Sequence, residues 1–189
     1  MSGRSAKRSR VRTRTHPRHS DLRALRRLVE STGVFYPEEI EIAMELLEER
    51  LRRGARSGYE FIFADRAGEL VGYCAWGAVP LTKGSYDLYW IATHPAFQGG
   101  GVGTLLLDEV ERRLRQREAR MLVVETSSRS DYTATRKFYE TRGYNASATV
   151  TDFYAPGDHR VIYAKRFLES EVPVVLIHSR QNAESSRNE

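Results

Sequence analysis

Four of the five residues from 99 to 103 are glycine, in a segment that begins at Gln98. The residues before it, Tyr86 to Thr93, are mostly aromatic or β-branched and stop before Pro95, so they predict a strand. Apolar residues then recur at helical spacing from Val102. The glycines thus lie where a strand passes into a helix N-terminus, whose free N–H groups and positive dipole end bind anions. The chemistry that this spacing predicts is phosphate binding.

Two well-known glycine loops do not fit the segment. A P-loop requires Lys followed by Ser or Thr after its last glycine, and a Rossmann loop requires Gly-x-Gly-x-x-Gly with an acidic residue about 20 positions later. Neither pattern is present here. The residue types alone leave two interpretations open: a phosphate site of another kind, or a surface turn whose glycines only permit tight geometry.

Length and charge restrict the classes of protein. A chain of 189 residues suits one domain with a substantial core. The net charge is +5, but residues 1–20 hold seven basic and no acidic side chains, so the remainder has a net charge of −2. Residues 1–19 have almost no large apolar side chains and are expected to be a disordered basic tail. This tail is either a weak nucleic-acid tether or a solvated segment without a role.

The remaining composition indicates a soluble protein of a reducing compartment. Cys74 is the single cysteine and has no disulfide partner. No apolar stretch has the length of a membrane span, and the N-terminus lacks the apolar core of a secretory signal. The five histidines are scattered, so no metal site is predicted. We expect a cytoplasmic monomer or homodimer.

The elements that must position the glycine segment follow from periodicity and from Gly and Pro signals. Helices are predicted from Ser20 or Asp21 to Gly33, from Pro37 to Arg53, from Val102 to Arg117 and from Ser130 or Asp131 to Arg142. Strands are predicted at 59–65, 69–79, 86–93, 121–126, 147–154 and 160–167. This order predicts an α/β domain over 20–168 with a mixed sheet. In the C-terminal extension, 169–189, the apolar run 172–177 either docks as an edge strand or meets a partner, and the rest is expected to be partly disordered.

Three motifs together resemble one known family, the GNAT acyl-CoA N-acetyltransferases. They are Gln98-x-x-Gly101-x-Gly103, the strand that ends Ile91-Ala92-Thr93-His94-Pro95, and Phe138-Tyr139 shortly before Gly143-Tyr144. The resemblance covers roughly residues 20–168. It implies a single-domain GNAT fold, whose mostly antiparallel sheet has a central parallel pair of strands that splay apart to admit acyl-CoA.

The resemblance also implies which residues hold acetyl-CoA. Backbone groups on the strand end would pair with the pantetheine arm, the glycine loop would hold the pyrophosphate, and two residues of a later helix would flank the arm. These residues are Ile91, Ala92, Thr93, Gln98, Gly99, Gly100, Gly101, Val102, Gly103, Thr104, Tyr132 and Arg136. At the position of Tyr132 the family often has Asn, so one polar contact differs.

Three residues are candidates for acid–base chemistry. The resemblance implies that Tyr139 protonates the departing thiolate. Asp87 corresponds to a glutamate base of the family. Because its side chain is one methylene shorter, a bridging water would connect its carboxylate to the amine. Strand alternation places Asp87 on one face with Tyr89, Ile91 and Thr93. Glu125 is the alternative base, because it interrupts an otherwise apolar strand.

The sequence therefore predicts an N-acetyltransferase that moves an acetyl group from acetyl-CoA to an amine of a small molecule or peptide, by direct attack in a ternary complex. The alternative is a CoA-binding sensor or a nucleic-acid-associated module without transferase activity. The acceptor pocket would be bordered by Val34 to Tyr36, the loop after Val79, and the turn from Ala155 to Asp158. None of these segments specifies a class of acceptor.

Overall fold

A single sheet of seven strands organises residues 10–167, which are the residues that the computed structural model describes. The strands are β1 Arg12–Arg14, β2 Tyr59–Arg66, β3 Glu69–Ala78, β4 Ser85–Thr93, β5 Met121–Ser127, β6 Asn145–Ala155 and β7 Asp158–Arg166. The α-helices are α1 His19–Thr32, α2 Pro37–Arg53, α3 Val102–Gln116 and α4 Thr133–Glu140, with 3₁₀ turns at Gly54–Ser57, Pro95–Phe97 and Ser130–Tyr132. The predictions for residues 1–9 and 169–189, including the run 172–177, fall outside this range.

The strands lie in the spatial order β1-β2-β3-β4-β5-β7-β6. Among neighbouring strands in the described range, β4 and β5 run parallel and the other pairs run antiparallel. A strand, helix and strand of the lengths of β4, α3 and β5 form the crossover that a parallel pair requires. The predicted α/β fold with a mixed sheet and one central parallel pair is confirmed.

Strand β1 corrects the expectation that all of residues 1–19 are disordered. Arg12–Arg14 pair antiparallel with β2. The guanidinium of Arg14 donates to both carboxylate oxygens of Asp21 at 2.7 Å and to Asp65 at 2.6 Å. Because Asp21 is almost wholly buried, its charge needs such partners. Composition missed this strand because the carboxylates that hold it lie outside the tail.

The helices cover the two faces of the sheet in pairs. Helices α1 and α2 pack on one face, around a buried cluster that includes Leu25 and Leu47. Helices α3 and α4 pack on the other, around a cluster that includes Leu106 and Tyr139. Apolar residues at helical spacing produce these buried stripes. We refer to the two sides of the sheet as the α1/α2 face and the α3/α4 face.

The parallel pair separates halfway along its length. Strand β4 pairs with β5 only from Ser85 to Leu88, whereas it stays paired with β3 as far as Thr93. A strand that is paired on one side leaves the N–H and C=O groups of its other edge free. A gap with a polar backbone edge therefore opens between the ends of β4 and β5, as the resemblance implied.

A β-bulge at Tyr89 overturns one detail of the predicted strand. Alternation placed Asp87, Tyr89, Ile91 and Thr93 on one face. In the structure the register of β3 and β4 slips by one position, which leaves Tyr89 opposite no residue of β3. The extra residue reverses the alternation beyond it. Tyr89 consequently packs on the α1/α2 face and Ile91 on the α3/α4 face.

Candidate active site

The glycine segment lies at the open end of the gap, between β4 and α3. Gly101 is the N-cap of α3 with φ 83°, and the first helical hydrogen bond runs from the Leu105 N–H to the Gly101 carbonyl at 2.9 Å. The N–H groups of residues 102–104 therefore have no partner within the helix. A Cβ at Gly99 or Gly101 would meet no atom within 4 Å. The positive φ angles of these two residues favour glycine, and the space beside their α-carbons is open.

The glycine segment lies close to the end of β4 and to helix α4. The Gln98 side-chain amide donates to the Thr93 carbonyl at 3.4 Å, which ties the loop to the end of β4. A Cβ at Gly103 would lie 3.7 Å from both the Phe138 ring and the Thr93 hydroxyl. The first turn of α3, the end of β4 and helix α4 therefore meet at one point. Residues of all three motifs of the sequence come together there.

Tyr139, the predicted acid, lies in α4 with 3% of its surface exposed. Its ring is 5.4 Å from Phe138, 5.6 Å from Tyr144 and 6.1 Å from Tyr163, between ring centroids. Burial raises the pKa of the Tyr139 phenol well above its ordinary value, and nearby Cys74 raises it further. The hydroxyl therefore keeps its proton at neutral and mildly alkaline pH. This is the protonation state that a general acid needs.

Asp87 and Glu125, the two candidate bases, lie on neighbouring strands. Asp87 is opposite Val123 in the parallel pairing, and Glu125 follows two residues later on the same face. Burial raises the pKa of Asp87, and the charge of Glu125 adds to the rise. The Glu125 side chain is 45% exposed and forms an ion pair with Arg160 at 3.2 Å. Within residues 10–167 Asp87 has no ion-pair partner, so Asp87 is the carboxylate better suited to accept a proton.

Tyr132 and Arg136, which the resemblance assigned to the acyl-CoA arm, have different surroundings. Arg136 donates to the carbonyls of Ser127 and Arg129 at 2.7 and 2.9 Å, so it holds the connection between β5 and α4. Tyr132 is half-buried just before α4. Its pKa is raised to about 12, mainly by burial and secondly by the charge of Glu39 in α2. The Arg129 guanidinium lies near the rings of both Tyr36 and Tyr132, so the Tyr132 side chain is on the side of the link between α1 and α2. Ligand contacts for both residues stay predictions.

Arg129 is a residue of this region that the sequence did not single out. Its guanidinium donates to the Tyr36 hydroxyl and, at 3.3 Å, to the Val34 carbonyl. The same group lies 5.0 Å from the ring centroid of Tyr36 and 5.1 Å from that of Tyr132. Arg129 and Val34 are 95 positions apart in the chain. No local pattern could have found this contact, although the segment from Val34 to Tyr36 was predicted to border the acceptor pocket.

Residues 24–144 match the sequence pattern of the Acetyltransferase (GNAT) family. A GNAT-family protein from Desulfovibrio desulfuricans has a solved structure with 43% sequence identity and a TM-score of 0.81, over 83% of this chain and 99% of that one. This chain belongs to the GNAT family. It is an N-acetyltransferase, as the motifs predicted. None of the curated proteins matches the sequence.

Other GNAT structures share the fold at lower identity. The ribosomal-protein-S18-alanine N-acetyltransferase of Escherichia coli is 18% identical with a TM-score of 0.67, over 87% of this chain and 99% of its own. The PaiA N-acetyltransferase of Thermoplasma acidophilum, solved in complex with coenzyme A, is also 18% identical with a TM-score of 0.67, over 84% of this chain and 99% of its own. At such identity these two support the GNAT fold alone.

Three further observations concern the described part of this GNAT enzyme. Residues 10–167 contain no group of three or more His, Cys, Asp or Glu side chains that could hold a metal ion. No helix in the same range is long and apolar enough to cross a membrane. Cys74 is fully buried in β3 and is free, and burial raises the pKa of its thiol. This thiol will react slowly with external reagents.

Proposed function

We propose that this enzyme transfers an acetyl group from acetyl-CoA to a primary amine by direct attack within a ternary complex. The observation that carries the proposal is the gap between β4 and β5. The free amides of the glycine segment lie at its open end, and the protonated hydroxyl of Tyr139 comes from the helix beside it. In this proposal the glycine segment is the anion site, the edge of β4 pairs with the pantetheine arm, and Tyr139 is the acid.

The residues at the gap fit acetyl-CoA as a substrate. The N–H groups at the start of α3 suit the pyrophosphate, because they are unpaired in the helix and lie at its positive dipole end. The free edge of Ile91 to Thr93 suits the amide groups of the pantetheine arm, which would add to β4 as a further strand. The same edge supplies an N–H for the carbonyl oxygen of the thioester.

The chemical step needs an uncharged amine. An alkylamine with a pKa of about 10.4 is mostly protonated at neutral pH, and removing the proton costs between roughly 4 and 5 kcal/mol. We assign that proton to Asp87, whose raised pKa makes it a stronger base than an exposed carboxylate. The nitrogen then forms a bond to the acetyl carbon, the carbon–sulfur bond breaks, and Tyr139 gives its proton to the sulfur. The second proton that the nitrogen loses on becoming an amide restores the Tyr139 phenol, and Asp87 releases its proton to solvent. Glu125, paired with Arg160, stays the alternative base.

We use the name acceptor side for the α1/α2 face of the gap, with Asp87, Glu125, Arg129, Tyr36 and Tyr132. Asp87 lies on this face by strand alternation, and the charge of Glu39 in α2 acts on Tyr132. The acyl-CoA side is the glycine segment with the free edge of β4. An amine that enters from the acceptor side meets the carboxylates before it reaches the thioester. This order suits an attacking group that arrives as an ammonium ion.

Release of CoA thiol from acetyl-CoA tests the proposal, with a panel of linear, aromatic and peptide amines and a colorimetric thiol reagent. Buried Cys74 keeps the background signal small. We expect thiol release that depends on the amine and yields the acetylated amine by mass spectrometry. Tight binding of CoA in calorimetry, with no release for any amine in the panel, would instead favour a CoA-binding sensor.

A further inference from the structure

Arg129 connects two segments that lie on opposite sides of the gap. It belongs to the connection between β5 and α4, and its hydrogen bonds reach the link between α1 and α2, at Tyr36 and Val34. Its guanidinium also lies near the ring faces of Tyr36 and Tyr132. We call these contacts of Arg129 with Val34 and Tyr36 the Arg129 clasp.

Each end of the clasp is anchored to a different strand of the separated pair. On one side, the Phe35 ring packs against Trp90 of β4, with ring centroids 5.7 Å apart. On the other, Arg136 donates to the carbonyls of Ser127 and Arg129 and so holds the residues that follow β5. Because β4 and β5 no longer pair at this level, the clasp spans the gap between them. It does so on the α1/α2 face, where Phe35 and Trp90 pack.

A second set of contacts borders the same opening. The Ser127 hydroxyl donates to the carboxylate of Asp158 at the start of β7, and the Ser128 hydroxyl accepts from the His159 N–H at 2.8 Å. The turn between β6 and β7 is therefore tied to the connection that carries Arg129. These bonds hold the Arg129 end of the clasp in place from a second direction.

We propose that Arg129 determines acceptor specificity, by holding the link between α1 and α2 across the acceptor side so that only amines on narrow, unbranched chains reach the thioester. This inference rests on the proposed function, because it assumes that the acceptor enters from the α1/α2 face. Arg129 does not touch the reacting atoms. It acts through the position of Val34 and Tyr36.

The structure offers a matched control for the clasp. Arg26 of α1 donates to both carboxylate oxygens of Glu41 in α2, at 2.6 and 2.8 Å, and this pair is exposed. It joins the same two helices as the link, but it has no contact with Arg129. Removing Arg26 therefore removes an arginine between the helices without removing the clasp.

The accessibility of a cysteine placed at Asp87 tests the clasp without acetyl-CoA or any acceptor. Asp87→Cys would be prepared alone, with Arg129→Ala, with Tyr36→Phe and with Arg26→Ala, and the chain with Asp87 intact would report the background from buried Cys74. Each protein would be treated with iodoacetamide, which is small, and with fluorescein maleimide, which is bulky. Circular dichroism would show that each variant is folded.

We expect Arg129→Ala to raise the rate of fluorescein maleimide modification by about tenfold, and to change the iodoacetamide rate by less than about twofold. Tyr36→Phe keeps the ring but loses the hydroxyl, so it should raise the maleimide rate by less than Arg129→Ala does. Arg26→Ala should change neither rate. An equal maleimide rate with and without Arg129, in folded proteins, would overturn the clasp as a barrier, as would an equal rise for both reagents.

Activity supplies the second measurement. Values of kcat/KM for n-pentylamine, benzylamine and trialanine amide should shift toward the two bulkier amines by about tenfold in Arg129→Ala, with the KM for acetyl-CoA unchanged. Unchanged ratios would contradict the role in specificity. If no amine releases thiol, the proposed function fails, and the labelling rates still decide whether the clasp restricts access.

Discussion

The two sides of the gap between β4 and β5 are built from different parts of the polypeptide. The acyl-CoA side consists of consecutive residues and mostly of backbone, namely the strand edge from Ile91 to Thr93 and the amides at residues 102–104. The acceptor side consists of side chains from the α1–α2 link, β4, β5 and the β5–α4 connection. One side depends on chain conformation, and the other depends on which side chains meet.

The difference indicates which parts of the enzyme are free to vary. A backbone site keeps its N–H groups whatever side chains its residues carry, so it suits a substrate that many related enzymes share. A side-chain site changes with a single substitution, so it suits the substrate that distinguishes them. The electrostatics differ as well, since a helix N-terminus is positive whereas the acceptor side contains Asp87 and Glu125.

Tyr139→Phe should have the largest effect on kcat, because every transfer from acetyl-CoA to an amine needs the leaving sulfur to be protonated. We expect kcat to fall by about a hundredfold or more, with CoA affinity unchanged in calorimetry. Tyr144→Phe is the matched control, since it removes a hydroxyl from the adjacent ring, where the group donates to Glu111 at 3.1 Å. A Tyr139→Phe enzyme with normal kcat across the alkaline pH range would refute the acid role.

Asp87→Asn should have the next largest effect on activity, because it affects the acceptor side alone. We expect kcat/KM for the amine to fall between about tenfold and a hundredfold, whereas Glu125→Gln should change it by less than about threefold. In the wild type, activity should decline as the pH falls through the raised pKa of Asp87. The Asn variant should lack this acid limb in a pH–rate profile. The opposite ranking of the two variants would make Glu125 the base.

Asp87→Asn also makes a prediction about stability, with a defined sign. Because the pKa of Asp87 is raised in the folded state, the folded protein binds more protons than the unfolded one between the two pKa values. Stability is therefore lost as the pH rises through that window. At neutral pH, Asp87→Asn should unfold at a higher temperature than the wild type, and it should not do so below the unfolded pKa of aspartate. A lower melting temperature at neutral pH would contradict this.

Gly101→Val should affect the acyl-CoA side alone. A side chain at φ 83° strains the backbone and projects into the space before the helix amides, so we expect CoA to bind about tenfold more weakly. Gly68→Val, in the turn between β2 and β3, imposes the same strain at φ 88° with the same open space. Both variants should lose similar stability, and only Gly101→Val should lose CoA affinity. Equal affinities would place the phosphate site elsewhere.

Lys165→Met should have the smallest effect on activity, because it lies on neither side of the gap. The Lys165 ammonium donates to both carboxylate oxygens of buried Glu111 at 2.8 Å. Glu111 keeps Tyr144 and Arg115 as partners, so we expect a loss of about 1–3 kcal/mol in the free energy of unfolding by urea. Activity well below the folding transition should stay within about twofold of the wild type. A large loss of kcat would mean that the core and the gap are coupled.

Local patterns in the sequence determined the elements and the acyl-CoA side. The glycines from Gly99 to Gly103, the strand before them and the apolar spacing from Val102 all lie within about twenty residues, because the proposed phosphate site belongs to one strand, turn and helix. The order of elements also predicted the parallel pair, since a crossover of this length fixes direction. The three motifs taken together then indicated the family.

Only the tertiary structure decided how the acceptor side is assembled. The bulge at Tyr89 reversed the predicted faces of β4 beyond that residue, because register against β3 depends on packing rather than on alternation within one strand. The ion pair of Arg14 with Asp65 joins residues 51 positions apart, and the hydrogen bond of Arg129 to Val34 joins residues 95 positions apart. Contacts of this kind depend on where distant segments pack against each other. The sequence by itself thus determined the glycine segment and the strand edge that we propose for acetyl-CoA, and the fold decided which side chains lie on the acceptor side.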